Sequence, residues 1–327
     1  MVTRKEVALK AGVSTATVSR VTSGRGYVSE EARRKVEAAI GMLNYIPNNI
    51  AKNLSRNQSN VVAVLVEDVT NPYYLQILEA MEGEGTKHNL IISLFAVNKD
   101  DIDMIMTGLI ENRVCAIINL ALFACNEKYI SILKELDIYT VNIRPRNEGE
   151  FKMNLNHARG IEGMAAYLKQ KGRKNLAYLA ALDEELARQD ARLNAYRACC
   201  KKYGFAEDER LIIFGNYPAE RAFRVGYQSA RKLCESGAPF DSVFCMNDSV
   251  ALGAVKFFRE AGLSIPEQVC VIGCDNILMG QYLSPALSTI DVETGRQGVA
   301  YIRAIAGRET SSSEEINARF IPRESVV

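Results

Sequence analysis

The chain has 327 residues, of which 48% are apolar and 24% charged, and its formal net charge is +1. This length and apolar content are ample for more than one buried core. No apolar run approaches the roughly 18 to 20 residues that cross a bilayer, and no apolar signal segment precedes Thr3, so we expect a cytoplasmic protein.

Two short helices joined by a glycine are predicted at the start of the chain. Thr3 and Glu6 have the spacing of a capping box, which starts a helix by satisfying two backbone N–H groups. Gly12 tolerates the positive φ of a tight turn, and Ser14 can cap the helix that follows. This pattern predicts a helix-turn-helix, a motif that binds DNA.

The second helix has one face for packing and one for contact with DNA. Its predicted packing positions are Ala16, Val18 and Val21. The polar side chains left outside are Thr15, Thr17, Ser19 and Arg20. Arginine can form two hydrogen bonds with a guanine edge and hydroxyl groups can hold phosphates, so these residues suit a helix that enters the major groove.

The charge of the chain is unevenly distributed. Residues 1–58 contain ten Lys or Arg and four Glu, a balance of +6, so the rest of the chain carries −5. A basic segment on a mildly acidic body is expected when only one part of a protein approaches phosphates.

Several strings in the first 50 residues share the order of one known family: Glu6-Val-Ala, Ala11-Gly-Val-Ser, Thr17-Val-Ser-Arg-Val, Val28-Ser, Arg34-Lys-Val and Leu43-Asn-Tyr-Ile-Pro-Asn. More follow along the chain: Asn71-Pro-Tyr-Tyr, Asn247-Asp-Ser-Val-Ala-Leu-Gly, Ile265-Pro-Glu-Gln-Val-Cys-Val-Ile-Gly-Cys-Asp, Leu287-Ser-Thr-Ile and Arg323-Glu-Ser. Over nearly its full length, the chain resembles LacI-family bacterial transcriptional regulators. The resemblance implies that one set of headpiece residues contacts double-stranded operator DNA: Thr3, Ser14, Thr15, Ala16, Thr17, Ser19 and Arg20.

Residues 47–59 form a polar linker that is too short to be a stable helix alone. The resemblance implies that it folds as a hinge helix when two copies meet over the minor groove of the operator. Asn48 and Ala51 would then face the groove, and Leu54 would enter the central base step as an apolar wedge. A flexible tether is the alternative interpretation.

From Asn60 onward, apolar runs of strand length alternate with helical patterns. The runs cover residues 61–66, 90–95, 115–120, 138–143, 176–180, 211–214, 242–246 and 269–272. Continuous apolar strands suit parallel sheets that helices cover on both faces, so the pattern predicts a doubly wound α/β fold.

The resemblance implies a core of two such lobes joined by three crossovers, as in periplasmic sugar-binding proteins. We expect a headpiece over residues 1–46, a linker over 47–59 and a core over 60–327. The N-lobe would comprise about 60–157 and 292–320, and the C-lobe about 158–288 and 321–327. A small-molecule effector would bind between the lobes, at the carboxyl ends of the strands.

Five residues are candidates for the walls and polar contacts of this effector site. The resemblance implies that Arg192 faces the ligand, where its guanidinium could bond hydroxyl groups or a carboxylate. Asp275, at a strand end, would accept hydrogen bonds from ligand hydroxyl groups. Asn247 could donate or accept there, and Tyr73 and Tyr74 would form aromatic walls for a sugar ring or a base. Ordinary loop or helix-cap chemistry is the alternative for each of them.

Two departures from the family pattern remove negative charge from the cleft. Asn156-His157 stands where members commonly have Asp-Asn, and Arg144 stands where an acid is frequent. With Arg188 and Arg192 as further counter-charges, these changes predict an acidic or phosphorylated sugar as the effector.

No motif of an enzyme or cofactor site occurs in the sequence. There is no phosphate-binding P-loop, no GxSxG elbow and no cluster of histidines with metal-ligand spacing. The eight cysteines lack CxxC spacing and are expected to be reduced, buried thiols. We therefore expect no enzymatic activity, no cofactor and no metal.

The chain ends at Val327 without leucine heptads, so we expect a homodimer and not a coiled-coil tetramer. A palindromic DNA site also requires two headpieces. The predicted function is that of a repressor of carbohydrate-related genes, under allosteric control by the effector. A DNA-binding protein whose core binds a partner protein is the alternative.

Overall fold

The computed structural model of the chain describes residues 2–23, 26–45, 59–121, 128–142, 151–309 and 312–326. The chain divides into two compact units, residues 1–59 and 60–327. The first contains the predicted helix-turn-helix and is called the headpiece below, and the second is called the core.

Three helices form the described part of the headpiece: α1 (Arg4–Ala11), α2 (Thr15–Ser23) and α3 (Glu30–Leu43). The predicted capping box is present, because the Thr3 hydroxyl accepts from the Glu6 N–H and the Glu6 carboxylate accepts from the Thr3 N–H. Gly12 ends α1 with a φ of 66°, as the turn requires.

The packing face predicted for α2 is correct in part. Val18 is fully buried and Val21 packs against the same small cluster, which also includes Val7 and Val36. Ala16 is exposed, so its predicted packing role was wrong. It lies in the first turn of α2, before the helix meets the cluster.

The core alternates strands and helices in chain order. Its strands are β1 (Val61–Val66), β2 (Ile91–Ala96), β3 (Ala116–Asn119), β4 (Tyr139–Asn142), β5 (Lys152–Asn156), β6 (Leu176–Leu179), β7 (Ile212–Ile213), β8 (Ser242–Cys245), β9 (Cys270–Ile272), β10 (Thr289–Asp291), β11 (Ser313–Asn317) and β12 (Arg319–Ile321). Its helices are α4 (Pro72–Lys87), α5 (Ile102–Glu111), α6 (Lys128–Glu135), α7 (His157–Gln170), α8 (Glu184–Arg188), α9 (Ala191–Tyr203), α10 (Ala222–Glu235), α11 (Asp248–Glu260) and α12 (Thr294–Gly307). Short 3₁₀ helices cover Glu209–Leu211, Leu278–Tyr282 and Glu324–Val326.

Two parallel sheets of four strands each form the two lobes. The N-lobe sheet has the order β2-β1-β3-β4, and the C-lobe sheet has the order β7-β6-β8-β9. Burial follows from this order, because the strands β1 and β6 have neighbours on both sides and are covered by helices. Val62 to Val66 and Leu176 to Leu179 are accordingly almost fully buried, which explains their unbroken apolar sequences.

Four further strands lie where the chain passes between the lobes. β5 pairs in parallel with β11, and β10 pairs in antiparallel fashion with β12. The predicted crossings near residues 155–159 and 288–293 therefore contain the end of β5 and the whole of β10. The segments β5 and β11 were not predicted as strands, because polar residues alternate with apolar ones and no continuous apolar run marks them.

Helices α10 and α11 cross at two glycines. A Cβ atom on Gly226 would lie 2.0 Å from the Val250 carbonyl oxygen, and one on Gly253 would lie 2.0 Å from the Phe223 carbonyl oxygen. The absence of a side chain at both positions thus permits direct backbone contact between these two helices of the C-lobe.

The seven cysteines in the described ranges are free thiols. Within those ranges, no group of side chains has the arrangement of a metal site. No helix among the described residues is long and apolar enough to cross a bilayer.

Candidate functional site

The exposed surface of α2 carries most of the predicted DNA-contacting side chains. Thr15, Ala16 and Arg20 are exposed, whereas Thr17 and Ser19 are half-buried. Small residues at the exposed tip allow close approach to a groove.

Two of the other headpiece candidates have local roles in helix capping. The Ser14 hydroxyl accepts from the Thr17 N–H at 3.1 Å, and Thr3 belongs to the capping box of α1. Asn48, Ala51 and Leu54 of the predicted hinge lie outside the described residues.

In the core, Arg192 forms a fork with the carboxylate two residues before it. Its Nε lies 2.9 Å from Asp190 Oδ1 and its Nη2 lies 2.6 Å from Asp190 Oδ2, while its Nη1 donates to the Met246 carbonyl at 2.9 Å. Both side chains are largely buried. Burial raises the pKa of Asp190, but the charge and hydrogen bonds of Arg192 lower it further, so the net shift is downward. Arg192 and Asp190 therefore form an ion pair whose net charge is zero.

Asp275 is a buried carboxyl group in a strained backbone. Its φ is 113° and that of Asn276 is 56°, both in the left-handed region that favours glycine. The Asp275 N–H donates to the Ile290 carbonyl at 2.8 Å, which ties the segment to β10. Only 7% of the residue is exposed, and burial together with the Asp248 charge raises its pKa well above the usual range, although Arg192 lowers it.

Asn247 and Asp248 occupy the start of α11 and have clear structural roles. Asn247 Oδ1 accepts from the Val250 N–H at 2.8 Å as the helix cap. Asp248 accepts from the Thr289 hydroxyl at 2.6 Å and from the Ile277 N–H at 2.8 Å. Burial raises the pKa of Asp248 to about 7 despite these hydrogen bonds.

Tyr73 and Tyr74 begin α4 and differ in their surroundings. Tyr73 packs against the cores of both lobes, and its hydroxyl donates to Gln297 Oε1 at 2.8 Å. Burial raises the pKa of Tyr73 well above its usual range; the nearby Asp275 charge adds to this shift and that of Arg192 opposes it, so the three side chains lie in one region. Tyr74 is more deeply buried and donates to Glu67 Oε1 at 2.8 Å.

Two buried polar atoms in the same part of the core have no hydrogen-bond partner among the described residues: His157 Nδ1 and Tyr301 Oη. Burial lowers the pKa of His157 to about 4, and the charge of Arg192 adds to this effect. At neutral pH, His157 is therefore an uncharged polar group beside the pair of Arg192 and Asp190.

Of the other two candidate arginines, the structure describes Arg188, which does not join this group. Arg188 lies at the end of α8, is exposed, and pairs with Glu184 one turn earlier. Arg144 lies outside the described residues. The region therefore brings together Tyr73, Arg192 and Asp275, and places Asn247 at the cap of the adjoining helix.

Comparison with known proteins identifies the family. Residues 3–48 match the model of bacterial regulatory proteins of the lacI family, and residues 165–326 match that of a periplasmic binding protein-like domain. The HTH-type transcriptional repressor PurR of Vibrio atlanticus (strain LGP32) is 30% identical over 306 residues, which cover 91% of this chain and 89% of that protein. The chain belongs to the lacI family of bacterial regulatory proteins.

Solved structures show the same fold over the full length of this lacI-family chain. The lac repressor dimer, bound to operator and the anti-inducer ONPF, has a TM-score of 0.80 at 22% identity and covers 100% of this chain and 99% of its own. The transcriptional regulator CelR, in complex with cellobiose, has a TM-score of 0.70 at 23% identity and covers 99% and 100%. The lacI-family member described here is thus a DNA-binding transcriptional regulator with a periplasmic-binding-protein-like core, and not an enzyme.

Several polar residues close to Arg192 and Tyr73 were not predicted as site residues. Asp190 was predicted only as part of the string around Arg192, and Tyr301 lies in the amphipathic helix α12, where nothing local distinguishes it. The one available signal was Gln297, a long amide on the buried face of that helix.

Proposed function

We propose that this lacI-family regulator represses carbohydrate-related genes and that an uncharged, hydroxyl-rich effector controls its affinity for operator DNA. The observation that carries the proposal is Asp275, a buried carboxyl group on strained backbone in the region of Tyr73 and Arg192. A carboxyl group in this setting needs hydrogen-bond donors, which sugar hydroxyl groups supply, and an aromatic ring beside it suits the apolar face of a sugar.

The uncharged class is favoured by the pairing of those candidate cations that lie in the described part of the core. Arg192 is neutralised by Asp190, Arg188 is paired with Glu184, and the lowered pKa of His157 keeps it neutral. An anionic ligand would have to displace Asp190 from a buried fork, at the cost of leaving a carboxylate unpaired. This argues against the acidic or phosphorylated sugar that the sequence favoured.

The structural neighbours support a carbohydrate-like ligand. CelR was solved with cellobiose, and the lac repressor was solved with the anti-inducer ONPF. The shared fold is consistent with a sugar in this chain, and a cytoplasmic location suits its DNA-binding function.

A second copy of the chain is the proposed partner in the assembly. Leu278, Met279 and Tyr282 of the 3₁₀ helix Leu278–Tyr282 expose apolar side chains, and Leu278 N–H donates to Gln76 Oε1 beside the exposed Leu75. An apolar surface shared by both lobes suits a homodimer, which a two-fold operator requires, and the lac repressor neighbour was solved as a dimer.

Thermal unfolding of the full chain with a panel of compounds tests the effector class. The panel contains neutral mono- and disaccharides, uronic acids, sugar phosphates and nucleosides. We expect at least one neutral sugar to raise Tm, because a ligand at about 100 times its Kd stabilises by about 2.7 kcal/mol. Asp275→Ala should abolish the shift, whereas Asp208→Asn, which alters an exposed ion pair of the same lobe, should retain it.

Other outcomes of this screen have defined meanings. Stabilisation by uronic acids or sugar phosphates alone would contradict the uncharged class and restore the acidic effector. Stabilisation by no compound would favour the alternative, a core that binds a partner protein.

A further inference from the structure

The segment after β1 makes direct contacts with the opposite lobe. Asp68, two residues beyond β1, accepts a hydrogen bond at 2.6 Å from Arg221 Nη1, which lies just before α10 in the C-lobe. Asp68 also accepts from the backbone N–H and the hydroxyl of Thr70 at 3.0 and 2.6 Å. The carboxylate is thus held in place by its own lobe and faces a cation from the other.

Three neighbouring contacts cross between the lobes in the same region. The Tyr217 hydroxyl donates to Glu67 Oε1 at 3.2 Å, and the Ser249 hydroxyl donates to Asn71 Oδ1 at 3.4 Å. Gln76, in the first turns of α4, bonds the backbone at Leu278 and Asn276. All these N-lobe partners lie within residues 67–76, which we call the docking segment.

The two side chains of the ion pair between Asp68 and Arg221 differ in their exposure to solvent. The Asp68 side chain is 3% exposed, whereas that of Arg221 is 60% exposed. Separation of the lobes would therefore return Arg221 to solvent readily, while a carboxylate held in a shielded position would lose its counter-charge. Because the Arg221 side chain is largely exposed, its truncation would remove the ion pair without creating a cavity.

We propose that Arg221 and Asp68 form a lock that holds the lobes together and sets the balance between closed and open cleft. The Arg221 side chain makes no cap hydrogen bond for α10, so its role is the contact with the other lobe. A shift between the open and closed states would also change the affinity for a ligand bound between the lobes. This regulatory consequence rests on the proposed function.

Hydrogen exchange of the full chain, without DNA or added ligand, tests the lock directly. Arg221→Ala should speed amide exchange about two- to fivefold in both the docking segment and residues 214–221, as expected for the loss of one partly exposed ion pair. Arg221→Glu should have a larger effect because it places like charges together, and Arg221→Lys should restore most of the protection. Arg210→Ala, which breaks the ion pair with Asp208 inside the C-lobe, is the matched control and should leave both segments unchanged.

Two results would overturn the lock. One is exchange in Arg221→Ala equal to that of the wild type in the docking segment. The other is acceleration confined to residues 214–221, which would indicate a local effect on that loop. Since no effector is used, failure of the lock leaves the proposed effector class untouched, and failure of the compound screen leaves the exchange result valid.

Discussion

At the scale of single residues, the cleft region contains polar groups that are satisfied to very different degrees. Arg192 has three hydrogen bonds within its own lobe, whereas His157 Nδ1 and Tyr301 Oη have no partner among the described residues. Buried polar atoms normally find partners, so these two unpaired atoms are places where a ligand would gain hydrogen bonds.

The exposed Arg20 of α2 gives a prediction for DNA recognition. Arg20→Ala should weaken binding to the preferred operator by about 1–3 kcal/mol and relax the requirement at one base pair. The measurement is a fluorescence titration with duplexes that vary one position at a time. An equal loss on every duplex would instead make Arg20 a phosphate contact.

His157 gives a prediction for the dependence of stability on pH. Its folded pKa of about 4 lies below the ordinary value of 6.5, so the unfolded chain binds more protons between these values and acid destabilises the fold. Between pH 7 and pH 5, wild type should lose about 2 kcal/mol more unfolding free energy than His157→Gln.

The measurement is urea unfolding of both proteins at each pH. The mutant is needed as the reference because Asp248 changes the unfolding free energy with pH in the opposite direction. Its pKa is raised to about 7, so its ionisation disfavours the fold as pH rises from the unfolded value toward 7. Parallel curves for wild type and His157→Gln would contradict the burial of a neutral imidazole.

The sequence predicts residue types better than residue partners. Asp275 follows a buried strand, so its place at a strand end could be predicted, and the structure places it there. The pairing of Arg192 with Asp190 could not, because a carboxylate two residues away is equally compatible with a free arginine. The predicted acidic effector depended on such unpaired arginines.

At the scale of elements, continuous apolar runs were the reliable signal. All eight predicted strands of the two main sheets exist, and each end lies within one residue of its predicted position. The central strands β1 and β6 are buried on both faces, which explains their unbroken apolar sequences, whereas the edge strand β2 is only partly buried. The strands β5 and β11 escape prediction because each is polar and gains its pairing from a segment about 160 residues away, a contact that local sequence does not encode.

The crossing of α10 and α11 gives a prediction for stability. Gly253→Ala should lower the unfolding free energy of the chain by about 1–3 kcal/mol, because the new methyl group meets the Phe223 carbonyl oxygen. Gly83→Ala is the control on an exposed position of α4, where no atom lies within 4 Å and the better helix propensity of alanine should stabilise slightly. Equal effects of both changes in chemical denaturation would refute the close crossing.

At the scale of the whole molecule, the proposed dimer surface can be tested with one exposed residue. Met279→Asp should shift the chain from dimer to monomer in light scattering after gel filtration, because it places a charge within the apolar surface. Met42→Asp alters another exposed methionine, in the headpiece, and should leave the dimer intact. A dimer of unchanged stability in Met279→Asp would place the interface elsewhere.

A ligand at Asp275 is proposed to change the affinity of the headpiece for DNA. The most direct measurement is the operator Kd of the full chain, with and without the neutral sugar that stabilises it most, for wild type and Asp275→Ala. We predict a change of about 5- to 150-fold for wild type, the usual range of coupling between two sites, and none for Asp275→Ala. A wild-type Kd that stays the same when the stabilising sugar is saturating would contradict the claim.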